Sequence, residues 1–143
     1  MTSNTYYDEI MEIPHAYDYV GNNLYIGGIL SSYTQFDSVV CCTPEATHYD
    51  RINQVTHLLP FNDCQLVPSE DFLMRIVELV RECRVHGSTY VHCSAGVNRS
   101  AMIVALVLIQ DGYVPVEAIR YLRELRSQSV LCNESFYNRV LQG

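Results

Sequence analysis

The stretch His92-Cys93-Ser94-Ala95-Gly96-Val97-Asn98-Arg99-Ser100 decides the interpretation of this 143-residue chain. The residues before it, Thr89–His92, form a short β-branched and aromatic run that predicts a strand. The residues after it, Arg99–Gln110, are almost wholly apolar, which is typical of a helix in the middle of a core. A strand therefore delivers Cys93 into a tight loop of small residues, and the loop runs straight into the N-terminus of a buried helix.

This arrangement suits a phosphate group. Five residues separate Cys93 from Arg99, enough to wrap backbone N–H groups around a tetrahedral dianion, and the helix end adds its own N–H groups and dipole. Gly96 permits backbone conformations closed to other residues. Arg99 offers a planar fork for two phosphate oxygens. The predicted phosphate-binding residues are Ser94, Ala95, Gly96, Val97, Asn98 and Arg99.

The same surroundings favour the thiolate of Cys93, which is the nucleophile that phosphoryl transfer to sulfur requires. Ser100 follows Arg99, and its hydroxyl is a candidate hydrogen-bond donor to the sulfur when the sulfur later leaves. The alternative for Ser100 is a place in the first helical turn with no chemical role. The alternative for Cys93 is an inert buried thiol, the usual fate of a lone cysteine.

Composition limits the partners. The formal net charge is −7, and all nine basic residues are arginine. We therefore expect no nucleic acid and no anionic membrane as partner, because both reward basic patches. No apolar run reaches the roughly 20 residues of a membrane span, and the acidic N-terminus does not resemble a secretory signal, so the expected location is the cytoplasm. The six cysteines form no zinc-type pairs, and we expect neither disulfides nor a metal or other cofactor.

The chain shows no repeat or linker, so one domain over residues 1–143 is expected, with residues 1–18 as an extended N-terminal segment and a monomer as the working state. The predicted strands are residues 24–29, 38–42, 55–60 and 89–92. The predicted helices are residues 69–86, capped by Ser69, then 99–110, 115–125 and a last one from the cap Asn133 to Leu141. This order predicts an α/β fold with a central mixed, mostly parallel sheet flanked by helices.

The pattern His-Cys-x-x-Gly-x-x-Arg-Ser resembles the signature of the protein tyrosine phosphatase superfamily, and the chain is similar to its small dual-specificity branch. Leu24-Tyr25-Ile26-Gly27 resembles the first-strand pattern of that branch, and Asn133-x-x-Phe136 with Leu141 resembles its closing helix. The resemblance implies the cysteine-phosphatase fold and hydrolysis through a phosphocysteine, with phosphorylated proteins as partners.

The resemblance also implies a general acid, an aspartate on a loop after a strand about thirty residues before the cysteine. Asp63 matches that placement. Asp71 is the rival, but it also suits the first turn of a helix. Asp111 follows the far end of the helix that begins at the phosphate loop. A solvated loop aspartate is the alternative for Asp63.

The resemblance implies a shallow pocket that admits phosphotyrosine, phosphoserine and phosphothreonine. Lipid phosphatases of the superfamily carry lysines in the loop, whereas this loop is neutral. The remaining alternatives are a phosphoinositide or RNA 5′-phosphate substrate, and a phosphate-binding relative without activity. This chain keeps the cysteine, the arginine and an acid, which favours an enzyme.

Cys42 is a candidate redox partner of Cys93. In a parallel sheet the end of the strand at residues 38–42 would lie beside the loop that follows Thr89–His92, and alternation lets only one of Cys41 and Cys42 face Cys93. The position of Cys42 resembles that of the resolving cysteine in a related lipid phosphatase. Cys64 competes for the role, and a small core residue is the plain alternative.

Overall fold

The computed structural model describes residues 15–44 and 54–143 of the chain. Most of the predicted N-terminal segment, residues 1–14, lies outside the described residues. The described part contains one sheet with the strand order β1-β2-β5-β3-β4. The strands are β1 (Tyr17–Gly21), β2 (Leu24–Gly27), β3 (Ser38–Cys41), β4 (His57–Leu58) and β5 (Thr89–His92).

The pairing of the strands confirms a mixed, mostly parallel sheet. β1 runs antiparallel to β2, while β2, β5, β3 and β4 are parallel neighbours. In the register of the three middle strands, Gly27 and Cys41 both lie opposite His92. The carboxyl ends of these strands therefore meet at one edge, and the chain that leaves β5 begins there with Cys93.

Four helices pack with this sheet in the described residues: α1 (Glu70–His86), α2 (Arg99–Gln110), α3 (Pro115–Leu125) and α4 (Glu134–Leu141). The predicted caps are confirmed. The Ser69 side chain accepts a hydrogen bond from the Phe72 N–H, and the Asn133 side chain accepts one from the Phe136 N–H. Each satisfies one of the unpaired N–H groups of a first turn.

The helix that follows the loop is the centre of the core. All residues of α2 from Arg99 to Leu108 are buried, as its uninterrupted apolar sequence predicts. The core on this side joins the four helices to the inward-facing residues of the sheet, such as Val91, and it includes Cys93 at the start of the loop. A buried helix whose first turn is fixed on every side gives the loop a rigid attachment.

The opposite face of the sheet is covered by aromatic rings. The His92 ring stacks on Tyr33 at 4.8 Å and on Tyr90 at 5.4 Å between centroids, and Phe36 stacks on Tyr90 at 4.5 Å. The Tyr90 hydroxyl donates to the Gly28 carbonyl at 2.6 Å, and burial raises the pKa of this phenol far above its ordinary value. These rings support β5, the strand that precedes Cys93, on the face opposite the helical core.

The structure differs from the sequence prediction at the strands. β1 is absent from the prediction, and it begins at Tyr17, inside the segment assigned to residues 1–18. β2 ends at Gly27 rather than at residue 29, because the Ile29 N–H donates to the Ser94 carbonyl instead of continuing the ladder. β3 ends one residue early, and the predicted strand at 55–60 pairs with β3 only over His57–Leu58.

Candidate active site

Cys93 lies at the floor of the loop between β5 and α2. The residue is 2% exposed, and its Sγ lies 3.3 Å from the Ser100 Oγ in the first turn of α2. The Cys93 N–H points back to the sheet and donates to the Gly27 carbonyl at 3.4 Å. The structure therefore brings together the predicted nucleophile and the hydroxyl predicted to accompany it.

The carbonyl groups of residues 94–98 all have hydrogen-bond donors outside the loop. The Ser94 carbonyl accepts from the Ile29 N–H at 3.1 Å, the Val97 carbonyl from the Leu131 N–H at 2.8 Å, and the Asn98 carbonyl from the Met102 N–H at 2.9 Å. The Arg126 guanidinium donates to the other two, from NH2 to the Ala95 carbonyl at 3.3 Å and from Nε to the Gly96 carbonyl at 3.0 Å. Each donor belongs to a different part of the scaffold, except that Arg126 supplies two. Hydrogen bonds to its carbonyl oxygens therefore hold the loop in place.

The N–H groups of the same residues remain available. Within residues 15–44 and 54–143, the backbone N–H groups of residues 94–98 donate to no described residue. Gly96 has φ +71, and a Cβ there would come within 2.5 Å of the Gly27 backbone, so both its conformation and the close approach require glycine. Backbone N–H groups without a described partner at the start of a helix have the geometry that suits an anion.

The buried Arg126, near the end of α3, is the link that the sequence prediction missed. Its Nε and NH2 hold two loop carbonyls, while its NH1 donates to the Ile26 carbonyl at 3.2 Å and to the Asp18 carboxylate at 2.8 Å. Burial lowers the pKa of this guanidinium, and the Asp18 carboxylate opposes that shift. An Asp on β1 thus offsets the desolvation of an arginine that shapes the loop.

Arg99, the last predicted phosphate ligand, is 4% exposed at the start of α2. Its NH1 donates to the Thr43 Oγ1 and to the Phe61 carbonyl, and its NH2 donates to the Ser94 Oγ, all at 3.3 Å. The Thr43 and Ser94 hydroxyl oxygens lie 3.4 Å apart. These partners orient the guanidinium beside the loop, so the fork is held in place before any anion arrives.

The exposed Asp63 lies next to the loop. Its Oδ2 accepts from the Asn98 Nδ2 at 3.1 Å and its Oδ1 from the Asn133 Nδ2 at 2.7 Å. Both rivals lie elsewhere: Asp71 is in the first turn of α1, and Asp111 forms ion pairs with Arg84 and Arg81. Of the three carboxylates, Asp63 is therefore the one that the structure ties to the loop.

Cys42 lies in the same buried core cluster as Cys93, and its N–H donates to the His92 carbonyl at 2.9 Å. The pKa of the Cys42 thiol is raised well above its ordinary value, first by burial and then by the neighbouring Cys93 and Cys41, with Arg99 acting in the opposite direction. Cys41 belongs to the other face of the strand, where its thiol donates to the Thr43 carbonyl at 3.4 Å. Cys64 is exposed.

In the described residues, no group of three His, Cys, Asp or Glu side chains is placed to hold a metal ion. None of the helices in that part of the chain combines the length and the apolar character needed to cross a bilayer.

Comparison with known families decides what this loop belongs to. The family model of the dual specificity phosphatase catalytic domain matches residues 15–142. The chain belongs to this family. The resemblance to the small dual-specificity branch of the protein tyrosine phosphatases is thereby confirmed, and so is the cysteine-phosphatase fold. A mouse putative dual specificity phosphatase, solved with zinc tungstate, superposes with a TM-score of 0.72 at 17% identity, over 90% of this chain and 88% of that one.

This dual-specificity phosphatase domain is also similar in sequence to known phosphatases. A probable protein tyrosine phosphatase type IVA B from Dictyostelium discoideum is 25% identical over 113 residues, which are 74% of this chain and 68% of the relative. The human phosphatidylglycerophosphatase and protein-tyrosine phosphatase 1 is 29% identical over 104 residues, 71% of this chain and 51% of the relative. The name of the second includes both a lipid and a protein substrate, so the family alone leaves the substrate class open.

The role of Arg126 can be tested by substitution. We expect Arg126→Met to lower the free energy of unfolding by about 3–5 kcal/mol, because it leaves the buried Asp18 carboxylate without its cation. It should also weaken binding of vanadate, a phosphate analogue, since two loop carbonyls lose their donor. Urea denaturation and vanadate titration below the unfolding transition measure the two effects. Arg120→Met, at an exposed arginine of α3, is the matched control. Wild-type affinity for vanadate in Arg126→Met would contradict this role.

Proposed function

We propose that this domain is a phosphomonoester hydrolase that acts on phosphotyrosine, and also on phosphoserine and phosphothreonine, in proteins. The observation that carries the proposal is the loop of residues 94–98. Its N–H groups donate to no residue that the structure describes while its carbonyls are held outward, and the Cys93 sulfur and the Arg99 guanidinium lie beside it. Such a loop binds a tetrahedral dianion directly above a nucleophile.

The first half-reaction transfers the phosphoryl group to sulfur. The Cys93 thiolate attacks phosphorus while the bond from phosphorus to the substrate oxygen breaks, and that oxygen takes its proton from the Asp63 carboxyl. The loop N–H groups and Arg99 stabilise the charge that builds on the three equatorial oxygens. The products are a phosphocysteine and the free alcohol or phenol.

The second half-reaction releases phosphate. Water attacks phosphorus and gives a proton to the Asp63 carboxylate, and the bond from phosphorus to sulfur breaks with its electron pair staying on Cys93. The Ser100 hydroxyl, 3.3 Å from the Sγ, supports the leaving thiolate with a hydrogen bond. Every proton is accounted for by one aspartate that alternates between its two states.

The surface beside the loop favours a protein over a phosphoinositide. A groove continues from Asn98 past Asp63 to the start of α4, and the described residues that line it include two acidic ones, Asp63 and Glu134, and no basic one. A phosphoinositide carries further phosphates that such a rim would repel. The lipid class stays as the second candidate because the human relative's name includes a lipid substrate.

The nucleophile has a direct test. We expect Cys93→Ser to abolish turnover of p-nitrophenyl phosphate while vanadate still binds, because the N–H groups and Arg99 remain. Cys83→Ser, on α1, controls for the general effect of losing a thiol. Activity of Cys93→Ser within tenfold of wild type would refute the assignment. A wild type that binds vanadate but turns over no phosphoester would instead indicate a phosphate-binding relative without activity.

The substrate class has a separate test. We expect kcat/KM for phosphotyrosine peptides to exceed that for soluble phosphoinositides by at least about tenfold, a difference of 1.4 kcal/mol in transition-state stabilisation. Glu134→Gln should narrow the gap by removing one rim charge, and Glu82→Gln, on the exposed surface of α1, should not. A phosphoinositide preferred over every peptide would place the domain with the lipid phosphatases.

The proposed redox role of Cys42 rests on its shared core with Cys93. Peroxide oxidises the Cys93 thiolate to a sulfenic acid, and Cys42 then displaces the sulfenic oxygen, which leaves as water, to form a disulfide. Burial raises the pKa of Cys42 well above its ordinary value, so Cys42 is a thiol at neutral pH and supplies a proton to the water that leaves. We expect dithiothreitol to restore activity after mild peroxide treatment in wild type and in Cys64→Ala, but only partly in Cys42→Ala. Equal recovery in Cys42→Ala would exclude the disulfide.

A further inference from the structure

The proposed general acid is an exposed side chain whose two oxygens both have amide donors. The Asn133 Nδ2 donates to the Asp63 Oδ1 at 2.7 Å and to the Cys64 carbonyl at 2.9 Å, so one amide holds both the side chain and the backbone of the acid loop. The Asn98 Nδ2 donates to the Asp63 Oδ2 at 3.1 Å. Without such anchors a loop carboxylate samples several rotamers.

The two asparagines are also joined to each other. The Asn98 Oδ1 accepts from the Asn133 N–H at 2.9 Å. Asn98 belongs to the phosphate loop, Asn133 caps α4, and Asp63 lies in the loop after β4, so three separate segments meet through these bonds. These bonds fix the position of the Asp63 carboxylate relative to the phosphate loop.

Asn133 does more than its helix requires. Its Oδ1 accepts from the Phe136 N–H at 3.1 Å, which is the whole task of an N-cap. Serine or aspartate caps a helix about as well, but neither offers an N–H donor. The Nδ2 of Asn133, which makes both bonds to the acid loop, has no part in the cap.

We propose that Asn133 is a positioning residue, which holds the Asp63 carboxyl in line with the oxygen that leaves the phosphate. This inference rests on the proposed function, in which Asp63 is acid in the first half-reaction and base in the second. A neutral amide suits both, because its N–H donates to a carboxyl oxygen whether or not the carboxyl carries a proton. An arginine or lysine at this place would favour only the ionised form.

The decisive variant is Asn133→Ser, which keeps a capping oxygen and removes the amide Nδ2 that bonds Asp63 and Cys64. We expect the variant to keep the wild-type free energy of unfolding. For phenyl phosphate, whose phenolate is a poor leaving group, kcat/KM should fall by about ten- to a hundredfold, the penalty of a slightly misplaced catalytic group. For aryl phosphates with acidic phenols the loss should shrink toward none, because those phenolates leave without a proton. The measurement is the slope of log kcat/KM against the pKa of the leaving phenol.

Two matched variants separate positioning from stability. Ser69→Ala removes the cap of α1, whose hydroxyl bonds only to the Phe72 N–H among the described residues, and should leave the slope unchanged even though it destabilises the fold. Asp63→Asn should itself cost roughly 10²–10⁴ in rate with poor leaving groups, and adding Asn133→Ser to it should cost nothing more. A further loss in the double variant would show that Asn133 acts by another route.

The outcomes distinguish the inference from the function on which it rests. Cys93-dependent turnover in wild type, with an Asn133→Ser variant that is either unimpaired or impaired equally for all leaving groups, would overturn the positioning role alone. Absence of Cys93-dependent turnover in wild type would overturn the proposed function and this role together. Both are supported if Asn133→Ser steepens the slope relative to wild type but causes no further change when it is added to Asp63→Asn.

Discussion

The peptide planes of residues 94–98 are the constraint on which the rest of the site depends. A trans peptide unit points its C=O and its N–H in opposite directions, so a carbonyl held toward the scaffold turns the next N–H toward the space above Cys93. Five carbonyls are held in this way, by donors from the chain after β2, from α2, from Arg126 and from Leu131. The orientation of the loop N–H groups is therefore determined outside the loop, by the residues that hold its carbonyls.

The largest of these donors creates an electrostatic problem that β1 solves. An arginine as buried as Arg126 loses its hydration, and an unpaired charge in that position would be strongly destabilising. The Asp18 carboxylate supplies the opposite charge, which forces β1 to turn a carboxylate inward while Tyr17 and Tyr19 point outward. The outward rings still pack, since Tyr17 meets Phe36 edge-on and Tyr19 contacts Tyr25. An edge strand thus becomes part of the loop's support.

The sequence predicted what depends on local pattern and missed what depends on distant pairs. Local sequence pattern predicted the small-residue loop, the apolar α2 and the helix caps Ser69 and Asn133. β1 was not predicted, because its charged residue Asp18 faces inward while its tyrosines face outward, the reverse of the usual strand pattern. The partner of Asp18, Arg126, lies 108 residues away. Arg126 was not singled out, because nothing in the sequence around it distinguishes a buried arginine from an exposed one. Asn133 was recognised as a cap, but nothing in the sequence indicates that its other amide atom reaches the acid loop across 70 residues.

The position before Arg99 shows how this chain couples binding to proton transfer. Asn98 gives its backbone to the phosphate loop, while its side chain turns away, to Asp63 and to the N–H of Asn133. A short hydroxyl side chain there could not span both partners, and a cationic one would add charge to a rim that is otherwise acidic. In the proposed reaction the phosphate and the leaving oxygen must be aligned within a fraction of an ångström, and one side chain fixed to both loops contributes directly to that alignment. The amide at this position therefore bears on catalysis through geometry rather than through contact with the substrate.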